Sequence, residues 1–498
     1  MSTDVLVVGA GPTGLFLAIW LAAAGVRVRI VDRLPGISPT SRALAVHART
    51  LELYDTFGFA GRLVEQGHRM TRVNYRVRVR RVARIELGDL GTGISPFPFV
   101  LVLSQDRHEH ILADHLAGLG VQVERDTELV ALEQRDDGVA ATLRTPAGEE
   151  RCHARYLCGC DGARSLVREL LDAGFPGGTY GHRFYVADVE GDGPTADGEL
   201  HLCLDEQDFC IVFPMSSARH VRLVGVVPEG AATAGFADVE ERVRRTTGLE
   251  VRSVNWFSTY NIHHRVAARF RSGRVFLAGD AAHIHSPVGG QGMNTGIGDA
   301  ANLAWKLAAV LRAGAPPELL DTYHPERHRL ARTLVQTTDR LFNAAVSRAR
   351  WARLVRLRIT PLVVPRLLGL SFLQPLAFRT LSQVGIEYRP SPLSTGRAGR
   401  VRAGDRLPWV HAGGESNFAP LRDRVWQVHV YGEARSELTA WCAGRGLPLF
   451  RFPWSDAAHR AGLARGAVYL VRPDGYVGYA APAQEVEPLR RYLQRWSA

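Results

Sequence analysis

The feature that most constrains this chain lies at its start. Residues 4–8, DVLVV, form a short β-branched apolar run, the pattern of a strand buried on both faces. Gly9-Ala10-Gly11-Pro12-Thr13-Gly14 follows at once. LFLAIWLAAAG then reads as a helix stopped at Gly25, and VRVRIVD as a second strand ending at Asp32. The order suits a bound pyrophosphate. Gly9 allows the tight turn, Gly11 lets backbone approach the phosphates, and Gly14 lets helix and strand pack closely. The helix start offers N–H groups and a positive dipole end to the anion. Asp32, eighteen residues past Gly14, has nearly the spacing of an acid that accepts ribose hydroxyls, and Arg33 adjoins it. A βαβ dinucleotide-binding unit is expected, with Pro12 and Thr13 inside its turn.

A second signature lies far downstream. Residues 274–280, RVFLAGD, read as a strand ending in Gly279-Asp280, and AAHIHSPVGGQGMNTGIGDAANLAWKLAAVL follows. Asp280 is placed to accept hydrogen bonds from ribityl hydroxyls. Gly289, Gly290 and Gly292 permit backbone to approach a flat ring. A helix starting near Met293 would aim its positive end at that ring, which favours the anionic reduced form of a flavin. Between the two signatures, Cys158-Gly-Cys-Asp161-Gly162-Ala-Arg164-Ser165 is again a strand, a turn and a helix start.

These residues resemble the FAD-dependent aromatic hydroxylases, the single-component group A flavoprotein monooxygenases of p-hydroxybenzoate hydroxylase-like fold. GAGPTG, CDGARS and GDAAHIHSPVGGQGMN match its three fingerprints in order. SRALAVHARTLE and SQDRHEHIL also match, so Arg42 is implied beside the flavin pyrophosphate and Gln105 against the flavin. The resemblance covers about residues 1–395 and departs at Ala45, where relatives often carry glycine. It implies FAD-binding roles for Asp161, Pro287, Met293 and Asn294, besides those already named. Pro287, Gly290 and Gly292 would line the flavin face; no catalytic base can be named, and His283 reads as packing rather than as a proton relay.

The implied reaction is insertion of one oxygen atom into an electron-rich ring. NAD(P)H is the transient reductant, O₂ the co-substrate and a flavin C4a-hydroperoxide the oxidant. No second GxGxxG unit appears for a nicotinamide domain. The expected substrate is a polycyclic, polyketide-type aromatic. Alternatives are an antibiotic-modifying monooxygenase of rifamycin or tetracycline type and a Baeyer–Villiger oxygenation.

An α/β architecture follows. A Rossmann-type FAD domain is expected over 1–70, 101–175 and 266–395, and an antiparallel substrate sheet over 71–100 and 176–265. After a Pro/Gly/Ser-rich linker at 390–404, residues 400–498 resemble the thioredoxin-like domain of the polyketide and phenol hydroxylase branch. They have no CxxC, so a structural role is expected. Arg76, Arg78 and Arg80 alternate with valines, which would place them on one strand face, as a solvated edge or as a docking stripe for NADPH phosphates.

Composition bears on partners. The formal charge is +11, but sixty of the sixty-one basic residues are arginine, so a compositional habit explains it better than nucleic acid does. The helical stretch with Arg348, Arg353 and Arg356 is expected to be solvated or dimer-facing rather than membrane-bound. Six cysteines make no disulfide framework, and no His/Cys spacing suggests a metal. The N-terminus shows no export signal, which predicts a cytoplasmic monomer or homodimer with no membrane partner.

Overall fold

A computed structural model describes residues 2–38, 43–88, 90–205, 209–215, 217–228, 235–286, 288–346, 355–368, 370 and 373–497. Strand β1 (Ser2–Val8) leads into helix α1 (Pro12–Ala23) and strand β2 (Val28–Val31). Later come α2 (Gln105–Gly118), β3 (Gly148–Gly159), β4 (Val275–Leu277), α3 (Gln291–Arg312) and α4 (Tyr323–Val346). The four strands are parallel in the order β4-β3-β1-β2. Val8 pairs with both Gly159 and Val31, and Gly159 with Leu277. This register makes the glycine-rich turns after β1, β3 and β4 leave the same sheet edge. Ligands of open α/β sheets bind at such a carboxyl edge.

Burial explains the local order. β1 is buried after Ser2, and α1 buries Leu15, Phe16, Ile19, Trp20 and Leu21 between α2 and α3. A helix apolar all round belongs inside a domain. Gly25, at φ 72°, ends the helix in the left-handed region.

A second sheet of eight strands runs from His283–Ile284 through Glu250–Val266, Gly177–Asp192, His220–Val226, Phe209–Pro214, Leu200–Leu204 and Arg72–Val77 to Arg80–Glu86. Its pairs are antiparallel apart from Leu200–Leu204 with Arg72–Val77. The arginine stripe is not formed. The chain turns at Arg78, which has φ 54°, so Arg76 and Arg80 lie on different strands. Arg76 is buried, donating from Nε to His201 Nδ1 at 3.0 Å and from its terminal nitrogens to the Val79 and Pro194 carbonyls. Arg78 pairs with Asp205 instead.

The third sheet has the order Val401–Arg402, Thr395–Ala398, Val477–Ala481, Val468–Val471, Gln427–Tyr431, Leu449–Phe452. Helices Ser436–Gly444 and Val486–Trp496 accompany it. The Pro/Gly-rich stretch is not a loose tether: Leu393 is buried, and Thr395 pairs with Tyr479. Cys442 is buried on its helix, and all six cysteines are free thiols. Among the described residues no helix is long and apolar enough to cross a membrane.

Candidate active site

The turn after β1 is shaped by close contact. Gly9 has φ 102°, and a Cβ there would lie 2.4 Å from the Cys160 carbonyl oxygen. A Cβ on Gly14 would lie 1.9 Å from the Gly9 carbonyl oxygen, so only glycine lets α1 start this close to the strand. Gly11, by contrast, faces open space: a Cβ there would meet no atom within 4 Å. That is the room a pyrophosphate requires. Asp32 fixes the turn: its Oδ2 accepts the Ala10 N–H at 2.6 Å and its Oδ1 the Leu34 N–H at 2.9 Å. Arg33 is exposed.

Thr13 joins the first signature to the third. Cβ atoms on Gly279 and Gly296 would lie 2.7 and 2.3 Å from its Oγ1, so two glycines make way for one hydroxyl. Asp280 follows, exposed between buried neighbours, on a 3₁₀ turn (Gly279–Ala281). Behind it Asp299, fully buried, accepts from the Gly279 N–H at 2.9 Å, His283 Nε2 at 2.7 Å and Arg327 Nε at 2.6 Å. Burial alone would raise the Asp299 pKa, but Arg327 and His283 bring it below the usual carboxylate value. His283 thus braces the turn from inside, which suits packing.

Gly289 and Gly290, at φ 76° and 63°, turn the loop into α3, which starts at Gln291, two residues before the expected Met293. Gly292 lies beside the His285 ring, and Met293 is partly buried against the core. A Cβ on Gly290 would lie 2.7 Å from that of Ala45, so the extra methyl of Ala45 fills space Gly290 leaves. His47 Nε2 donates to the Gly289 and Gly290 carbonyls at 3.0 and 3.2 Å; burial holds its pKa down at about 4, so it is neutral. The Asn294 amide is consumed internally. It donates to the Ala45 and Gly290 carbonyls and accepts from the His47 N–H and Thr50 Oγ1.

The middle signature is also braced. Asp161 accepts from Ser165 Oγ at 2.6 Å and the Val167 N–H at 3.1 Å, capping the helix Leu166–Leu170, and burial raises its pKa. Arg168 ties this turn to the third signature through the Ala281 carbonyl at 3.0 Å. Gln105, at the start of α2, accepts the Ala43 N–H at 3.3 Å and donates to Glu109 at 2.7 Å. Burial pushes the Glu109 carboxyl up to about 7. Arg42 and Pro287 lie outside the described residues.

Opposite the Gly289–Gly290 loop stands one face of the eight-stranded sheet. Val73, Leu200, Phe213 and Met215 pack into a cluster with Ala45 and Leu381. Phe209, four residues from Phe213 and so on the same face, joins Phe184, Tyr260 and Val226 in an aromatic cluster. One polar pair interrupts this face. Arg222, opposite Phe213, donates to both oxygens of Asp188 at 2.5 and 2.6 Å, with its guanidinium 5.6 Å from the Trp256 ring centre.

A family model described as an FAD binding domain matches residues 2–338. The chain belongs to the FAD-dependent aromatic hydroxylase family. A 6-methylpretetramide 4-monooxygenase of Streptomyces rimosus is 38% identical over 99% of this chain and 93% of its own. A rifampicin monooxygenase of Streptomyces venezuelae is 38% identical over 67% of this chain and 70% of its own. Among solved structures, an anhydrotetracycline hydroxylase of Streptomyces rimosus covers 100% of this chain and 99% of its own at TM-score 0.81 and 29% identity.

As in the aromatic hydroxylase family at large, the cofactor is FAD and the protein is a monooxygenase. The residues fit that cofactor: the open space at Gly11 admits the pyrophosphate, and the α3 N-terminus and its two left-handed glycines leave bare backbone for the ring. The roles of His47, Asp299 and Gly296 were not legible from sequence, and of the three only His47 lies inside a matched segment. Each role depends on a partner that the fold supplies. Asn294 is 247 residues from His47, and Gly279 is 20 residues from Asp299.

Proposed function

We propose that this enzyme hydroxylates a polycyclic, polyketide-type aromatic, with NAD(P)H as transient reductant and O₂ as co-substrate. The observation that carries the reading is the apolar and aromatic sheet face set against the Gly289–Gly290 loop. A flat fused-ring molecule suits an apolar and aromatic face of this kind, and near-complete length overlap with the 6-methylpretetramide enzyme supports that class.

Bound FAD supplies the activation of O₂ for transfer of one oxygen atom to the ring. The protein supplies position. Gly9, Gly11, Gly14 and the α1 start would hold the pyrophosphate, Asp32 the ribose and Asp280 the ribityl chain, with Gln105 and the backbone at Asp161 completing the cradle. The unpaired N–H groups at the α3 start would favour the anionic reduced form of the flavin. Phe209, Phe213 and Tyr260 exclude water and orient the substrate plane. Residues 400–498 are read as a thioredoxin-like structural domain without redox chemistry.

The test is NAD(P)H oxidation by the FAD-loaded enzyme with a tetracyclic phenolic polyketide, followed by mass spectrometry. A product one oxygen heavier, with the ring system intact, is expected. Turnover of rifampicin but of no fused-ring phenol would move the assignment to antibiotic modification, and a lactone product to Baeyer–Villiger chemistry.

A further inference from the structure

The +11 charge is concentrated. Between Asp339 and Glu387 the sequence has no acidic residue and eight arginines, from Arg340 to Arg379. The same stretch gathers exposed apolar surface. Of the fourteen large hydrophobic side chains exposed among the described residues, seven lie between Val355 and Leu376. Leu362 is 56% and Leu376 62% exposed, and Ile359, Val363, Leu367 and Leu370 accompany them. Arg358 and Arg366 are exposed among these leucines. The helix Thr360–Leu368 packs on the edge strand Arg80–Glu86, where Val82 and the neighbouring Val79 extend the apolar surface and Arg80 and Arg81 the charge.

Apolar side chains interleaved with arginines, and no acid, are the composition of a helix that lies in a bilayer interface. Charge selects among the possible occupants. A second copy of this face would set two cationic surfaces against each other. A nucleic acid would meet the charge but leave the leucines in water. Anionic lipid answers both, with phosphates for the guanidinium groups and acyl chains for the leucines and the arginine stems. We propose that the exposed face of helix Thr360–Leu368, with Ile359, Leu370 and Leu376, docks on an anionic lipid bilayer. It lies on the membrane rather than crossing it. Arg348 and Arg353 of the preceding stretch, expected to be solvated or dimer-facing, lie outside the described residues.

The test does not depend on turnover. Full-length, FAD-loaded protein is sedimented with vesicles of phosphatidylcholine alone, or with about 30% phosphatidylglycerol, at about 0.1 M salt. Pelleting is expected only with the anionic vesicles. It should fall at least about tenfold at about 0.5 M salt, and equally in the Leu362→Ser/Leu367→Ser variant, whose bound-FAD absorbance should be unchanged. No pelleting with anionic vesicles overturns the proposal, as does undiminished pelleting of the double variant. If light scattering shows a dimer that the same substitutions dissociate, the face belongs to a second copy and the proposal is wrong.

Discussion

Arg472 donates from both terminal nitrogens to the carboxylate of Glu326, at 2.8 and 3.1 Å, and neither side chain is exposed. Glu326 belongs to α4, and Arg472 to the hairpin that joins Val468–Val471 to Val477–Ala481 in the third sheet. Lys306, the chain's single lysine, donates to the same carboxylate at 2.8 Å, and Ser391 Oγ at 2.6 Å. Asp474 completes the knot by accepting from Arg472 and from the Trp305 ring N–H.

Removing one member of this knot strands a buried charge. Glu326→Gln is expected to cost about 3–5 kcal/mol in urea unfolding of the FAD-loaded protein, in one transition by flavin and backbone signals alike. Burial pushes the Glu326 carboxyl up, but Arg472 and Lys306 hold it well below the ordinary carboxylate value. Its stabilisation is therefore present above about pH 4.5 and lost as the pH falls through its depressed folded value. A cost below about 1 kcal/mol would mean the two units are not coupled through this pair.

Glu109 has the opposite sign. Its folded pKa is raised to about 7 from an ordinary value of 4.5, so the folded state holds the proton more tightly. Its contribution is full below about pH 4.5 and is lost as the pH rises through about 7. Glu109→Gln should be more stable than wild type at pH 8, by about 2–3 kcal/mol, and nearly equal to it at pH 4.5. The check is denaturant unfolding of both proteins at the two pH values; parallel curves would count against a buried neutral carboxyl.

Gly296 and Thr13 should behave as a compensating pair. Gly296→Ala sets a methyl 2.3 Å from Thr13 Oγ1 and pushes α1 away from α3. Overpacking of this kind costs about 1–3 kcal/mol, so FAD affinity should weaken about tenfold or more. Thr13→Ala removes the offending oxygen, so the double variant should regain much of the affinity. Flavin fluorescence titration measures it, and additive losses would place the strain elsewhere.

The arginines of the 72–86 hairpin separate into two kinds. Arg76→Ala is expected to destabilise the protein by about 1–3 kcal/mol, because the buried His201 ring and the part-buried Val79 and Pro194 carbonyls lose their donor. Arg80→Ala, at an exposed position, should leave stability and the NADPH KM unchanged. A raised KM for Arg80→Ala would restore an electrostatic role to this edge.

The sequence alone determined the parts of the site whose physics is local. A strand that must be buried, glycines at fixed offsets and a helix start after them are read within a few residues. Gly9, Gly11, Gly14, Gly279 and Gly290 stand where such turns require them, because the lack of a Cβ is a property of the residue itself. Tertiary structure decided what depends on a distant partner. Asn294 offers the same amide in any sequence; only its meeting with Ala45 and His47 shows that the side chain is already consumed. Period-two spacing put three arginines on one face until a left-handed Arg78, which no residue type announces, turned the chain between them. Arg472 and Glu326 are 146 residues apart, and only the folded chain brings them together. Turn geometry is fixed by nearest neighbours, whereas the pairing of buried charges is fixed by which surfaces the whole chain must close.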